Sequence, residues 1–257
     1  MKQTLISPAK VGGALQAEGR VAMLIHIGQR FDHANAFLDA DQRQVDAIVL
    51  LGTAFGDDLL KGAMKAGSPP LYVLARESAI ASIPSVACDA RASMRQIVDH
   101  LAARGYRRPG FMSGPQSLST ALGRQKHHAA FWRKYGIKDI PEIAAGAYDR
   151  RDAEAALRQY LHDTPAAKRI DVLTCENDVL AMGVVDLART EFGLRIPQDL
   201  AVVGYDGIDL AAMPMFDLTT YEQPMRQMSE VLVEMLLDRR ERRSVSLPGC
   251  LFIRGST

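Results

Sequence analysis

The chain has 257 residues, 47% hydrophobic and 24% charged, with Lys+Arg 31 against Asp+Glu 30 and a formal net charge of +1. These values fit an ordinary globular protein of one large or two small domains, exclude disorder as the main state, and lack the basic excess of a free-standing nucleic-acid binder. No uncharged apolar run reaches the roughly 18–20 residues that span a bilayer, Met1–Gly19 lacks the order of a secretory signal, and three scattered cysteines make no disulfide framework. The expectation is a reduced, cytoplasmic α/β globule.

Short aliphatic runs alternate with longer amphipathic stretches. Arg20–Ile27 (RVAMLIHI) and Asp46–Leu51 (DAIVLL) read as strands, Gly56–Ala66 as a helix and Leu71–Ala75 (LYVLA) as a strand. The helix Ala90–Arg104, the strand Pro109–Met112 and the helices Ser119–Tyr135 and Asp152–His162 follow. Then come the strand Ile170–Thr174, the helix Asp178–Phe192, the strand Leu200–Gly204, the helix Met225–Arg240 and a strand-like Cys250–Arg254. Runs apolar on both faces suit parallel sheets covered by helices. Gly105 and Gly193 stand just past helix ends, where a left-handed cap favours glycine, and Pro197 blocks a restart. The strand–helix order predicts an α/β fold, and one βα series ends at Arg104 before another begins near Pro109. We expect two doubly wound parallel-sheet lobes, residues 1–106 plus 225–247 and residues 107–222 plus 248–257, joined by a multi-crossover hinge around a cleft.

In open α/β sheets ligands sit beyond the carboxyl ends of the strands. The polar residues there are Asp89, Ser113–Gly114, Glu176–Asn177–Asp178 and Tyr205–Asp206. A metal site is not expected. Of six histidines only His127 and His128 are adjacent, and neighbours on a helix point about 100° apart. There is no GxSxG elbow, GxxxxGK[ST] or GxGxxG, so neither catalysis nor a nucleotide cofactor is supported. Cys175 follows a strand and reads as a small buried thiol. The run Arg239–Arg243 reads as a solvated helix end, with a phosphate or partner patch as the alternative.

What remains suits a polar small molecule. The Arg124 guanidinium offers five fixed donors, Asp89, Asn177 and Asp206 offer acceptors, and Tyr148 offers a ring face. Each has a second reading. Asp89 and Asn177 also suit helix N-caps, Asp206 suits a turn before Gly207, Arg124 suits a solvated helix face, and Tyr148 suits surface or core.

The segment Arg195-IPQDLAVVGYDGIDLAAMPMFDLTTYEQ-Pro224 resembles the VPxDVxVVGYDD…LTTVxQP signature of the LacI/GalR family of bacterial transcription regulators. Asn177-Asp178-Val179-Leu180-Ala181-Met182-Gly183 resembles the family's NDxxAxG helix start. Val86–Pro115 resembles its VxxDN…HLxxxGH…GP stretch, and Arg254-Gly255-Ser256-Thr257 its closing RxST. The matches run in order over about Val45–Thr257. The resemblance implies a fold like the periplasmic sugar-binding proteins, acting as an effector-binding core and homodimer. It implies effector contacts at Asp89, Arg124, Asn177, Asp206 and Gln223, and a stacking aromatic at Tyr148. The expected effector is a sugar or sugar derivative, with no enzyme activity, no cofactor and no membrane partner. A sugar-binding protein serving a transporter shares the fold, but the LTT-x-x-QP segment favours a regulator.

The chain departs from the family pattern in several places. Met1–Gly19 resembles neither the helix-turn-helix nor the hinge helix, so operator DNA is expected to be met only through a domain absent from this chain. Met1–Gly19 reads at best as the helix after the core's first strand, with Pro8 awkwardly inside it, and Lys2–Ile6 is a candidate substitute strand. His127 stands where glycine is usual and His128 where an aromatic is. Ala90 replaces the asparagine of the DN pair and Gly207 the second aspartate of GYDD. These changes imply an effector other than a common hexose.

Overall fold

A computed structural model describes residues 8–22, 45–51, 57–65, 69–78, 80–115 and 119–257. Within them the chain divides into two compact units, one within the spans Met1–Cys88, Leu118–Thr120 and Pro224–Leu247, the other within Asp89–Ser117, Ala121–Gln223 and Pro248–Thr257.

The first unit holds a four-stranded, all-parallel sheet. Its strands are β1 (Ile48–Leu51), β2 (Leu71–Leu74), β3 (Ser85–Cys88) and β9 (Val245–Leu247), in the order β1-β2-β3-β9. Helices α1 (Pro8–Ala17), α2 (Asp57–Lys65) and α7 (Met225–Leu236) accompany it. Leu50, Leu60, Ala63, Leu71, Val73 and Ile83 form one core cluster. Met228, Leu232 and Met235 are buried at helical spacing on α7, which packs on β2, β3 and α1. Pro8 does not interrupt its helix. It opens α1 as the first residue, where its missing N–H has no intrahelical partner to lose. Residues 20–22 lie outside any strand, and the rest of the strand expected at Arg20–Ile27 lies outside the described residues, as does Lys2–Ile6.

The second unit is larger. Its sheet runs β10-β8-β7-β6-β4-β5, from Cys250–Phe252, Thr219–Glu222, Ala201–Asp206, Val172–Cys175, Pro109–Ser113 and Glu142–Ala144 respectively. All pairings are parallel except the edge pair β10–β8. Its helices are α3 (Ala90–Ala103), α4 (Ser119–Lys134), α5 (Arg150–Asp163) and α6 (Asp178–Thr190). Three are capped by side chains: Asp89 accepts from Ala92 N–H at 2.9 Å, Asp149 from Arg151 N–H at 2.7 Å and Asn177 from Leu180 N–H at 2.9 Å. Gly105 (φ 92°) and Gly193 (φ 60°) take left-handed conformations just past α3 and α6. On α3, Met94, Ile97, Val98 and Leu101 form the buried stripe. The close approach of α5 to α6 depends on Gly183, where a Cβ would stand 2.6 Å from the Arg150 carbonyl oxygen.

The last residues are stitched into this unit. Ser256 Oγ donates to the Val202 carbonyl at 2.6 Å and accepts from Thr219 N–H at 2.8 Å. Arg104 donates to the Thr257 carbonyl at 2.9 Å. The RxST ending therefore acts as a latch across the sheet and α3.

Candidate functional site

The second unit gathers a polar cluster at the carboxyl ends of β4, β6 and β7. Its centre is Arg124 on α4, 8% exposed. Arg124 Nη1 donates to the Glu176 backbone carbonyl at 2.6 Å, and the guanidinium lies 3.7 Å above the Tyr205 ring. Tyr205 stacks on Tyr221 in turn, with centroids 5.4 Å apart and planes at 22°. Burial works against the charge on Arg124, but Tyr205, Asp206, Glu176 and Tyr148 outweigh it and raise its pKa.

Two carboxylates flank the guanidinium. Glu176, directly after β6, is buried; its Oε2 accepts from Gly114 N–H at 2.6 Å and from the Tyr148 hydroxyl at 3.2 Å. Burial raises its pKa, against the pull of Arg124 and these two donors. Gly114 is required here, because a Cβ would run into the Tyr148 ring. Asp206 ends β7 with φ 113° and accepts from Gln223 Nε2 at 2.7 Å. Burial pushes its carboxyl up to about 6, opposed by Arg124 and Gln223. Among the described residues, Glu176 Oε1 and Gln223 Oε1 are buried without a hydrogen-bond partner. Both atoms are acceptors, so the cluster holds unspent acceptor capacity.

Behind it, Asp178 fixes the turn that carries Asp206. Its Oδ2 accepts from Ile208 N–H at 2.9 Å and its Oδ1 from Thr220 Oγ1 at 2.5 Å. Burial drives its pKa up to about 8, with Asp206 adding a second push. Residues Arg124, His128 and Trp132 share one buried face of α4 at i, i+4 spacing. Trp132 Nε1 donates to His128 Nε2 at 3.0 Å. His128 therefore carries its proton on Nδ1, and burial lowers its pKa to about 3. It serves as a neutral core ring where an aromatic was expected. Cys175 is fully buried and its thiol pKa is raised by burial, which suits an inert thiol.

The structure brings together four of the six expected site residues: Arg124, Tyr148, Asp206 and Gln223. Asn177 is next to Glu176 in the chain, with its Oδ1 on the α6 cap. Asp89 bonds to its own helix, and no hydrogen bond joins it to the Arg124 cluster among the described residues. The composition of the cluster adds Glu176, Tyr205 and Asp178. All three lie among the polar strand-end positions, but nothing in their spacing marked them off. No group of three or more His, Cys, Asp or Glu able to hold a metal occurs among the described residues. No described helix is long and apolar enough to cross a membrane.

The run Arg239–Arg243 is ion-paired: Arg239 to Glu18 at 2.8 Å, Arg240 to Glu234 at 3.2 Å, Arg242 to Asp238 at 2.6 Å and Arg243 to Glu241 at 3.5 Å. This matches the solvated helix end and not a phosphate patch.

A family model described as periplasmic binding proteins and sugar binding domain of LacI family matches residues 10–254. The chain belongs to the LacI family. It is 29% identical over 221 residues to the HTH-type transcriptional repressor CytR of Escherichia coli (strain K12), covering 84% of this chain and 63% of CytR. It is 27% identical over 235 residues to the repressor PurR of Photorhabdus laumondii, covering 89% of this chain and 67% of PurR. The crystal structure of a LacI transcriptional regulator from a Rhodococcus species superposes with a TM-score of 0.84 at 26% identity, covering 96% of this chain and 91% of that one. The Lac repressor shares the fold with a TM-score of 0.83 at 21% identity, covering 97% of this chain and 76% of the repressor. The matched core thus spans 63% of the length of CytR, and CytR and PurR are HTH-type transcriptional repressors.

Proposed function

We propose that this LacI-family core binds a sugar or sugar derivative through Asp89, Arg124, Tyr148, Asn177, Asp206 and Gln223, within a cytoplasmic, homodimeric transcriptional regulator. Operator DNA is contacted by a helix-turn-helix domain of the full-length regulator. The observation that carries this reading is the buried guanidinium held on Tyr205 between two carboxylates, with acceptors still unpartnered on Glu176 and Gln223. Fixed donors, loose acceptors and the Tyr148 ring match a polyol, whose hydroxyls both give and take hydrogen bonds. The repressor names of CytR and PurR support control of transcription. Exposed apolar surface on Met213, Met215, Phe252 and Ile253 supports self-association. An effector that prefers one of two core conformations shifts their populations by its differential affinity. A coupling of ~1–3 kcal/mol changes operator affinity ~5–150-fold.

The test is a thermal-shift screen against sugars, polyols, sugar acids, amino sugars and sugar phosphates, repeated on Arg124→Lys, which keeps the charge but loses the planar fork. At a hundredfold excess over Kd a ligand adds ~2.7 kcal/mol, a shift of roughly 5–10 °C for a chain of this size. A shift from one class, lost in the variant, is the expected result. No Arg124-dependent shift from any class sinks the effector reading. A monomeric sedimentation profile at ~10 µM, far above a typical nM–µM Kd, sinks the homodimer.

A further inference from the structure

Glu176 stands one residue before the NDxxAxG match, outside the positions the family motifs assign. The residue is 1% exposed. Oε2 is saturated by Gly114 N–H and the Tyr148 hydroxyl, while Oε1 has no partner among the described residues. Gln223 repeats the pattern, with Nε2 given to Asp206 and Oε1 left over. A buried acceptor without a donor is costly, more so when charged.

The surrounding charges lean the same way. Arg124 is the guanidinium facing Glu176 and Asp206. Glu142 on β5, which accepts from Ser113 Oγ at 2.7 Å, adds negative charge beside Glu176. Asp178 adds a carboxyl beside Asp206. A ligand carboxylate or phosphate would bring only acceptors and more negative charge. A hydroxyl brings a donor, and a protonated amine brings donors and the compensating charge. Hydrogen bonds assisted by charge are about twice as strong as neutral ones.

Resting on the effector reading above, we infer that the ligand is an amine-bearing sugar or polyol and that Glu176 is the residue that selects it. The protonated nitrogen donates to Glu176 Oε1, and hydroxyls donate to Gln223 Oε1 and Asp206. Neutral polyols bind more weakly in the same way, and sugar acids and phosphates are rejected.

The experiment is titration calorimetry with matched series of gluco, galacto and manno configuration: the 2-amino sugar, the neutral sugar, the sugar acid and the 6-phosphate. In at least one series the amine should bind ~10-fold more tightly than its neutral analogue at pH 7.5, and the acid and phosphate should not bind. Glu176→Gln should bring that ratio close to one. A second readout needs no variant. In the unaltered protein, over the pH range where the amine stays fully protonated, its preference should shrink as the pH is lowered and Glu176, whose pKa burial raises, takes up a proton. An amine preference that survives Glu176→Gln, or stays flat with pH, overturns the inference. So does Arg124-dependent binding led by neutral or acidic members, which leaves the effector reading standing. If no member of any series binds in an Arg124-dependent way, both readings fall.

Discussion

The run Arg239–Arg243 places four guanidiniums within five residues at the surface of the first unit, whereas α4 gives the second unit a single buried one, Arg124. The surface run is the louder sequence signal, yet it is spent on ion pairs with Glu18, Glu234, Asp238 and Glu241. Arg124 lies quietly within a helix, yet it is stacked on Tyr205, bonded to a backbone carbonyl and flanked by carboxylates. Water screens the first set and is kept from the second. The same side chain is therefore weakly coupled in one place and strongly coupled to its neighbours in the other. Burial with partners, and not charge density along the chain, marks the candidate site.

The contrast is most open to attack at Arg124. Arg124→Met leaves the Glu176 and Asp206 carboxylates without their cation in a buried setting. Breaking such a group by removing one partner costs about 3–5 kcal/mol. Urea unfolding at pH 7.5 should show that loss, and it should become smaller at pH 5, where Asp206, with its pKa of about 6, is largely protonated. A variant as stable as the parent at pH 7.5 would mean that the cluster is solvated, and the contrast would collapse.

Asp178 gives the next largest effect, seen through pH. Its folded-state pKa of about 8 lies above the ordinary carboxylate value, so the native state holds a proton that the unfolded chain has lost. Stability should therefore fall as the pH rises from about 4 to about 8, with Asp206 contributing to the lower part of that window. Asp178→Asn preserves the acceptor for Ile208 N–H and lets the amide donate to Thr220. Unfolding free energies at pH 5 and pH 8 should differ less in the variant than in the parent. An equal or larger difference would place the slope elsewhere.

Much of this architecture was legible. The runs IVLL in β1, LYVL in β2 and VLTC in β6 are apolar enough to announce strands covered on both sides. In contrast, β8 (TTYE) holds no aliphatic residue and β3 (SVAC) and β9 (VSL) hold a Ser among few aliphatic ones, so these strands take their pairing from neighbours. The strand-end rule placed Glu176, Tyr205 and Asp206 in view, but it could not show that Tyr205 turns its ring beneath Arg124. That contact exists only because β6 and β7 are neighbours in the sheet and α4 packs beside them. Asp178 was read as part of a helix start for the same reason, since its partners Thr220 and Ile208 arrive from distant segments.

The caps give a smaller effect that separates two readings of one residue. Asp89, Asn177 and Asp149 each accept from a backbone N–H of the helix that follows. Replacing any of them by alanine should cost ~0.5–2 kcal/mol, and Asp149, which is no effector candidate, sets the scale. Serine restores a cap without the carboxylate or amide. Asp89→Ser and Asn177→Ser should therefore unfold near the parent midpoint, and effector affinity becomes the discriminating readout. If both bind the effector like the parent, these residues are caps alone.

The smallest effect belongs to the surface run. Arg240→Ala and Arg242→Ala remove ion pairs whose partners are half in water. Exposed pairs gain little over hydration, and salt screens what they gain. Thermal midpoints and effector affinity should match the parent within measurement error at 0.15 M salt. A loss seen at low salt and abolished at 0.5 M would mark the run as electrostatically active, and its contrast with Arg124 would weaken. The two regions can thus be told apart by salt alone: the effect of Arg124 should survive it, because screening ions do not enter a buried cluster.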